Sequence, residues 1–160
     1  MLAALEREVA TRFGLETEIV LVDDGSTDNG AALFATHLVG KWKIIQLSRN
    51  FGKEIALFAG IEAASGDLVL LMDADLQHSL SVSLRLIQTI VSDPETDVVF
   101  ATRADRRDSG LMRHGFSRLF YKLINFRQRF VTPPDAGDFR IMRRNVADAL
   151  LLLRDKKRFN

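Results

Sequence analysis

The sequence predicts an α/β fold in a single domain: a mostly parallel sheet whose faces are covered by helices. Short apolar runs alternate with amphipathic stretches in the order β-α-β-α-β-α-β, the pattern of strands joined by helical crossovers. The loops after these runs are rich in acids and glycine, as expected where strands of an open α/β sheet deliver a site at their carboxyl ends. At 160 residues the chain fits the single-domain length of about 100–200 residues.

The first element is an amphipathic helix over Leu2 to Phe13, closed by Gly14 at a helix end that calls for a left-handed residue. Glu18 to Val22 reads as a short buried strand that runs into Asp23-Asp24-Gly25-Ser26-Thr27-Asp28, a tight acidic turn. Asp28 is placed to cap the next helix, Asn29 to Val39. Strand Lys43 to Leu47, loop Ser48 to Gly52 and helix Lys53 to Ala64 repeat the unit. Gly66 then breaks the chain ahead of Leu68-Val69-Leu70-Leu71-Met72. With no polar alternation, this run predicts a strand covered on both faces.

The run ends in Asp73-Ala74-Asp75-Leu76-Gln77. On an extended segment residues i and i+2 point to one side, so Asp73 and Asp75 converge beyond the strand end. Hard oxygen ligands gathered in this way suit Mg2+ or Mn2+. Helix Leu80 to Val91 carries an apolar face at Leu80, Leu84, Ile87 and Val91. Strand Asp97 to Thr102 follows, with Arg103 at its end. Arg106, Arg107 and Asp108 lead through Gly110 to a long helix. There an aromatic-rich stripe (Phe116, Leu119, Phe120, Leu123, Ile124) lies beside Arg118, Lys122 and Arg129, a combination that serves packing or a membrane interface. Pro133-Pro134 stops it. Asp135-Ala136-Gly137-Asp138-Phe139-Arg140 then precedes a short strand and the helix Val146 to Leu153.

Composition narrows the function. With 47% hydrophobic and 27% charged residues, the chain is an ordinary globular one. It has no cysteine, which excludes disulfides, thiolate metal sites and cysteine nucleophiles. No apolar run approaches the roughly 18 residues of a membrane span, and no signal-peptide pattern is present. Net charge is +1, but residues 1–100 hold 7 Lys/Arg against 15 Asp/Glu and residues 101–160 hold 15 against 6. The basic half suits phosphate or anionic lipid. The acidic crevice and the lack of a nucleic-acid motif argue against nucleic acid as the partner. Because acids would repel a bare nucleotide diphosphate, a divalent metal is needed to bridge them to its phosphates.

Four ordered segments, Asp23 to Asp28, Asn50-Phe51-Gly52-Lys53-Glu54, Asp73 to Gln77 and Pro134 to Arg140, resemble the motifs of family 2 glycosyltransferases. The resembling branch contains the polyprenyl-phosphate glucosyltransferases and dolichol-phosphate mannose synthases. The resemblance implies a GT-A, Rossmann-like three-layer sandwich. Residues 1–104 would form its nucleotide and metal half, and residues 105–160 its acceptor side. It implies inverting transfer of a hexose from a nucleotide diphosphate sugar, of UDP-glucose or GDP-mannose type, to a polyprenyl phosphate. The setting would be the cytoplasmic face of the membrane.

Under this resemblance Asp23, Asp24, Ser26, Lys53 and Asp73 bind the nucleotide, and Asp73, Asp75 and Gln77 hold Mg2+ or Mn2+. Asp138, Asp75 and Arg140 are the catalytic candidates. Arg103, Arg113 and Ser117 are assigned to the acceptor phosphate by their position between the metal and Gly-Asp-Phe-Arg motifs. A phosphate monoester with a second pKa near about 6 is largely ionised at neutral pH, so Asp138 serves as base or as positioning group.

Three departures from the family pattern set further expectations. Met1 falls within the helix that follows the family's first strand, so the sheet is expected to lack that strand. The edge of Glu18 to Val22 is then open to dimerisation or strand exchange. His78-Ser79-Leu80 stands where Asp-Pro-Pro is usual, and the chain ends before the family's membrane segments, as if truncated at both ends. Two other readings remain: a nucleotide-sugar-binding remnant without turnover, and a Mg2+-dependent phosphoryl-transfer or receiver-like domain, since such folds also gather aspartates at strand ends.

Overall fold

A computed structural model describes residues 1–28, 30–36, 40–74, 79–102 and 136–156. Helix α1 (Leu2–Phe13) ends where expected: Gly14 takes a φ of 65° and its N–H donates to Ala10 O at 3.0 Å. Strand β1 (Glu18–Asp23) runs one residue further than the apolar run, because Asp23 still pairs with its neighbour. Helix α2 spans Gly30–Ala35, and Asp28 accepts from the Gly30 N–H at 3.0 Å. Strand β2 is Lys41–Gln46, two residues earlier than its apolar core suggests. Its first residues, Lys41, Trp42 and Lys43, are exposed and are recruited by register with β1 rather than by burial.

Helix α3 (Lys53–Ala63), strand β3 (Leu68–Leu71) and helix α4 (Leu80–Ser92) follow the predicted boundaries within a residue or two. Ser79 caps α4 by accepting from the Val82 N–H at 3.4 Å. Strand β4 is Val98–Thr102. Strand β5 is Ala136–Arg143 and helix α5 is Arg144–Lys156. Here the sequence expectation needs correction, because the Asp138–Arg140 cluster belongs to the strand itself rather than preceding it. The predicted helix around Phe116 to Arg129 lies outside the described residues.

The described strands form two hydrogen-bonded groups, one of two strands and one of three. Strands β1 and β2 pair in parallel, from Glu18 opposite Lys41 to Asp23 opposite Gln46. Strand β5 lies between β3 and β4 and pairs antiparallel with both, Arg140 facing Leu71 on one side and Phe100 on the other. Strands β3 and β4 are therefore parallel to each other. Polar pins give β1 and β3 a common direction. At their starts Glu18 accepts from Ser65 N–H at 3.0 Å and from Ser65 Oγ at 2.7 Å. At their ends Asp24 is bonded to the loop before α3, and Lys53 of α3 to Asp73. Of the five described strands four run one way and β5 runs against them, so one described pairing is parallel and two are antiparallel.

Helices cover both faces. Leu5 and Val9 of α1 and Leu84, Ile87 and Ile90 of α4 pack on one face with Ile141. Ile61 of α3 and Ala147 and Leu150 of α5 pack on the other with Val69, Leu71 and Met142. Adjacent β3 residues thus enter opposite cores, which is why the run is apolar without a break. Arg143 fastens the layers: its Nε donates to Thr96 O at 2.9 Å, and its Nη2 donates to Ile90 O and Asp93 O at 2.9 and 3.1 Å. A cation on the carboxyl end of α4 also suits the helix dipole.

Ile90 is fully buried, so Ile90→Ala is expected to lower unfolding stability by about 2–5 kcal/mol, read as a lower urea midpoint at unchanged slope. Glu18 gives a pH signature. Bonds from Lys43 and then Ser65 pull its carboxyl down to about 2. Because the folded value is depressed, its stabilisation is complete above the free glutamate value of about 4.3 and is lost as the pH falls through about 2. Glu18→Gln should cost about 1 kcal/mol at pH 7 after solvent screening. The deficit should vanish in urea titrations taken below that window.

Candidate active site at the carboxyl end of the strands

The site begins where β1 runs out of apolar residues. Asp23 is buried, accepting from the Ser26 N–H at 3.0 Å and from Gln46 Nε2 at 3.3 Å. Its carboxyl is held below the usual range, chiefly by Ser26 through side chain and backbone and then by Gln46. Asp24 follows as a latch. Its Oδ1 accepts from Phe51 N–H and its Oδ2 from Gly52 N–H, both at 2.8 Å. Two backbone donors on one carboxylate are charge-assisted bonds of the stronger kind. They join the loop after β1 to the loop after β2.

Gly25 is required for this closeness. It takes a φ of 71°, and a Cβ there would fall 2.3 Å from Arg49 C and 2.6 Å from Asn50 N. On the partner loop, the Arg49 guanidinium stacks over the Phe51 ring at 4.9 Å, a cation–π contact. Gly52, with a φ of 94°, opens α3, and its carbonyl receives the N–H groups of Ile55 and Ala56. Lys53 therefore stands on the first turn of α3 and reaches Asp73, with Nζ 2.8 Å from Oδ1 and 3.0 Å from Oδ2. Both side chains are partly exposed, so this ion pair is open to exchange with solvent or ligand.

Strand-end chemistry is thus brought together for Asp23, Asp24, Ser26, Lys53 and Asp73. Arg140 is placed differently from expectation: it is buried within β5, opposite Leu71 and Phe100. Asp138 lies on β5 near the carboxyl end of β4, where Ala136 pairs with Thr102, and its side chain is outside the described set. Asp75, Gln77, Arg103, Arg113 and Ser117 also lie outside the described residues. Among the described residues no three acidic or histidine side chains form a group able to hold a metal. Asp73 is the described carboxylate that fits one, a hard donor whose counter-ion is a movable lysine rather than a backbone amide. No described helix is long and apolar enough to cross a membrane.

Sequence reasoning did not find Gln46 or the Asp24 latch. A polar residue closing the β2 run was the available signal for Gln46. The latch spans residues 24 and 51–52, and no local pattern reports such a contact.

The sequence profile of glycosyl transferase family 2 matches residues 1–151. The chain belongs to glycosyl transferase family 2. Its fold is accordingly the GT-A type, seen here as a mixed α/β sheet with a parallel ladder and helices on both faces. An uncharacterized glycosyltransferase of Synechocystis sp. is 38% identical over 154 residues, 95% of this chain and 48% of the relative. The bactoprenol glucosyl transferase of Shigella phage SfV is 39% identical over 149 residues, 90% of this chain and 47% of its own. A prophage bactoprenol glucosyl transferase homolog of Escherichia coli is 36% identical over 155 residues, 96% of this chain and 50% of its own. This family 2 chain spans about half the length of the curated relatives it matches.

Removing the latch should free the loop that carries Lys53. Asp24→Ala is expected to speed hydrogen exchange at the Phe51 and Gly52 amides about tenfold or more, while the Leu21 amide inside the ladder keeps its protection. Exchange followed by NMR checks both.

Proposed function

We propose that the chain carries the donor site of an inverting glycosyltransferase that moves a hexose from a nucleotide diphosphate sugar to a polyprenyl phosphate. Glucose is the favoured hexose, because relatives at 36–39% identity bear the name bactoprenol glucosyl transferase. The observation that carries the reading is the convergence of Asp23, Asp24, Lys53 and Asp73 at one end of the strands. A polyprenyl acceptor places the reaction at the cytoplasmic membrane surface.

In this reading Asp23 and Ser26 border the base and ribose, and the Asp24 latch fixes the loop against which the nucleotide lies. Asp73, followed by Asp75 and Gln77, would hold Mg2+ or Mn2+, which supplies neutralisation of the charge that grows on the departing diphosphate. Lys53, released from Asp73, adds a second positive charge to the same phosphates. Asp138 orients the sugar or the acceptor, whose phosphate is already ionised at neutral pH and needs no strong base. Arg103, Arg113 and Ser117 are assigned to the acceptor phosphate.

Transfer of labelled glucose from UDP-glucose to a short-chain polyprenyl phosphate tests the activity, with GDP-mannose as the competing donor. Binding is tested separately by thermal melting. At about 100-fold excess over Kd, UDP or GDP with Mn2+ should stabilise the chain by about 2.7 kcal/mol. Asp73→Asn and Asp75→Ala should each abolish the metal-dependent part. A shift without transfer would favour nucleotide-sugar binding without turnover. No metal-dependent shift in the intact chain would overturn the reading.

A further inference from the structure

All six oxygens of the three rim carboxylates are engaged. Asp23 accepts from the Ser26 N–H through Oδ1 and from Gln46 Nε2 through Oδ2. Asp24 accepts from the Phe51 and Gly52 N–H groups, one on each oxygen. Both oxygens of Asp73 face Lys53 Nζ, at 2.8 and 3.0 Å. Four oxygens are thus held by neutral amide groups and two by a full positive charge. A divalent cation that arrives alone therefore meets an ammonium at the one carboxylate whose partner can move. Two cations sharing a carboxylate at that spacing repel each other.

The placement of Lys53 raises the barrier further. It is the first residue of α3, and Gly52 before it has no side chain to cap the helix. A cation there stands at the positive end of the helix dipole, where it is disfavoured. Asp73 offsets that placement, so a lysine pushed off it with nothing in exchange is left at the wrong end of a helix. Helix α3 itself is held, at its start by Asp24 on the Gly52 N–H and along its length by the close approach of Gly60 to Val22. Any exchange therefore falls to the lysine side chain, which is partly exposed.

We infer that Lys53 closes Asp73 to a bare divalent cation and opens it to a cation that arrives with a diphosphate. This rests on the sugar-transfer reading and adds a condition to it: free metal does not fill the empty site. A diphosphate alone would draw the ammonium away but would then face an uncovered carboxylate of its own sign. Together the two ligands let Lys53 exchange Asp73 for a phosphate oxygen while Asp73 exchanges the ammonium for the metal, and no charge is left without a partner. Each ligand then raises the affinity for the other by the same factor.

Equilibrium dialysis of the full chain against Mn2+, with and without saturating UDP or GDP, tests the inference. Lys53→Met keeps the length of the side chain and removes its charge. Without nucleotide, Mn2+ is expected to bind this variant about fivefold more tightly than the intact chain, the scale of an exposed ion pair. With nucleotide the order should reverse, Mn2+ binding the variant more weakly. A damaged fold would weaken both. Lys53→Arg should restore the exclusion of bare Mn2+. Lys41→Met, which breaks the pair with Glu16 at the opposite end of the strands, should change neither measurement. Adding Asp73→Asn to Lys53→Met should abolish the gain. The inference is overturned if Lys53→Met binds bare Mn2+ no more tightly than the intact chain, if the two conditions shift in the same direction, or if the gain survives Asp73→Asn. In each of these cases nucleotide-dependent Mn2+ binding by the intact chain would still support the sugar-transfer reading. No Mn2+ retained by the intact chain with either nucleotide would overturn both.

Discussion

The structure depends on holding β1 and β3 parallel without a single hydrogen bond between them. Helix α3 does this as the crossover that follows β2 and precedes β3, packed against β1 through Gly60. A Cβ at that glycine would stand 3.2 Å from Val22 Cγ2, so helix and strand approach about as closely as side chains allow. At the base, Glu18 reaches Ser65 in the α3–β3 loop and Lys43 on β2. At the top, the Asp24 latch and the Lys53–Asp73 pair bind the same helix to both strand ends. The two ladders are therefore aligned by α3 and by polar contacts at both ends. Asp23, Asp24, Lys53 and Asp73 share one rim because that alignment holds.

Much of this was legible because burial writes itself into composition. Strand β3 and helices α1, α3 and α4 lie within a residue or two of their predicted limits, since each presents an unbroken apolar run or a helical apolar face to a core. The sequence of strand β5 predicts a loop followed by a short strand, because Asp138 and Arg140 interrupt its apolar pattern. Pairing on both sides makes it a central strand regardless, and Arg140 is buried there. The amino-terminal residues of β2 escaped for the opposite reason: Lys41 to Lys43 are exposed, and their strand state comes from pairing alone.

For the site, the acids could be found because strand-end position is visible in one dimension, and Lys53 because the segment Asn50 to Glu54 resembles a family motif. What they do to one another could not. The Asp24 contact joins loops 27 residues apart, and the Lys53–Asp73 pair spans 20. Such contacts follow from the order in which strands are laid side by side, and that order is settled by helix packing rather than by any local motif.

The three rim carboxylates also separate by the nature of their partners. Asp23 and Asp24 are held by backbone N–H groups, with Gln46 in addition at Asp23. Those donors are fixed by the loops they belong to, and withdrawing them would mean refolding the turns. Asp73 is held by an ammonium on a flexible four-carbon stem, a side chain that is half exposed. An exposed pair of this kind is worth about 1 kcal/mol or less, and a divalent cation carries twice the charge of the lysine it would displace. Asp23 and Asp24 therefore build the rim, and Asp73 is the member free to change partners.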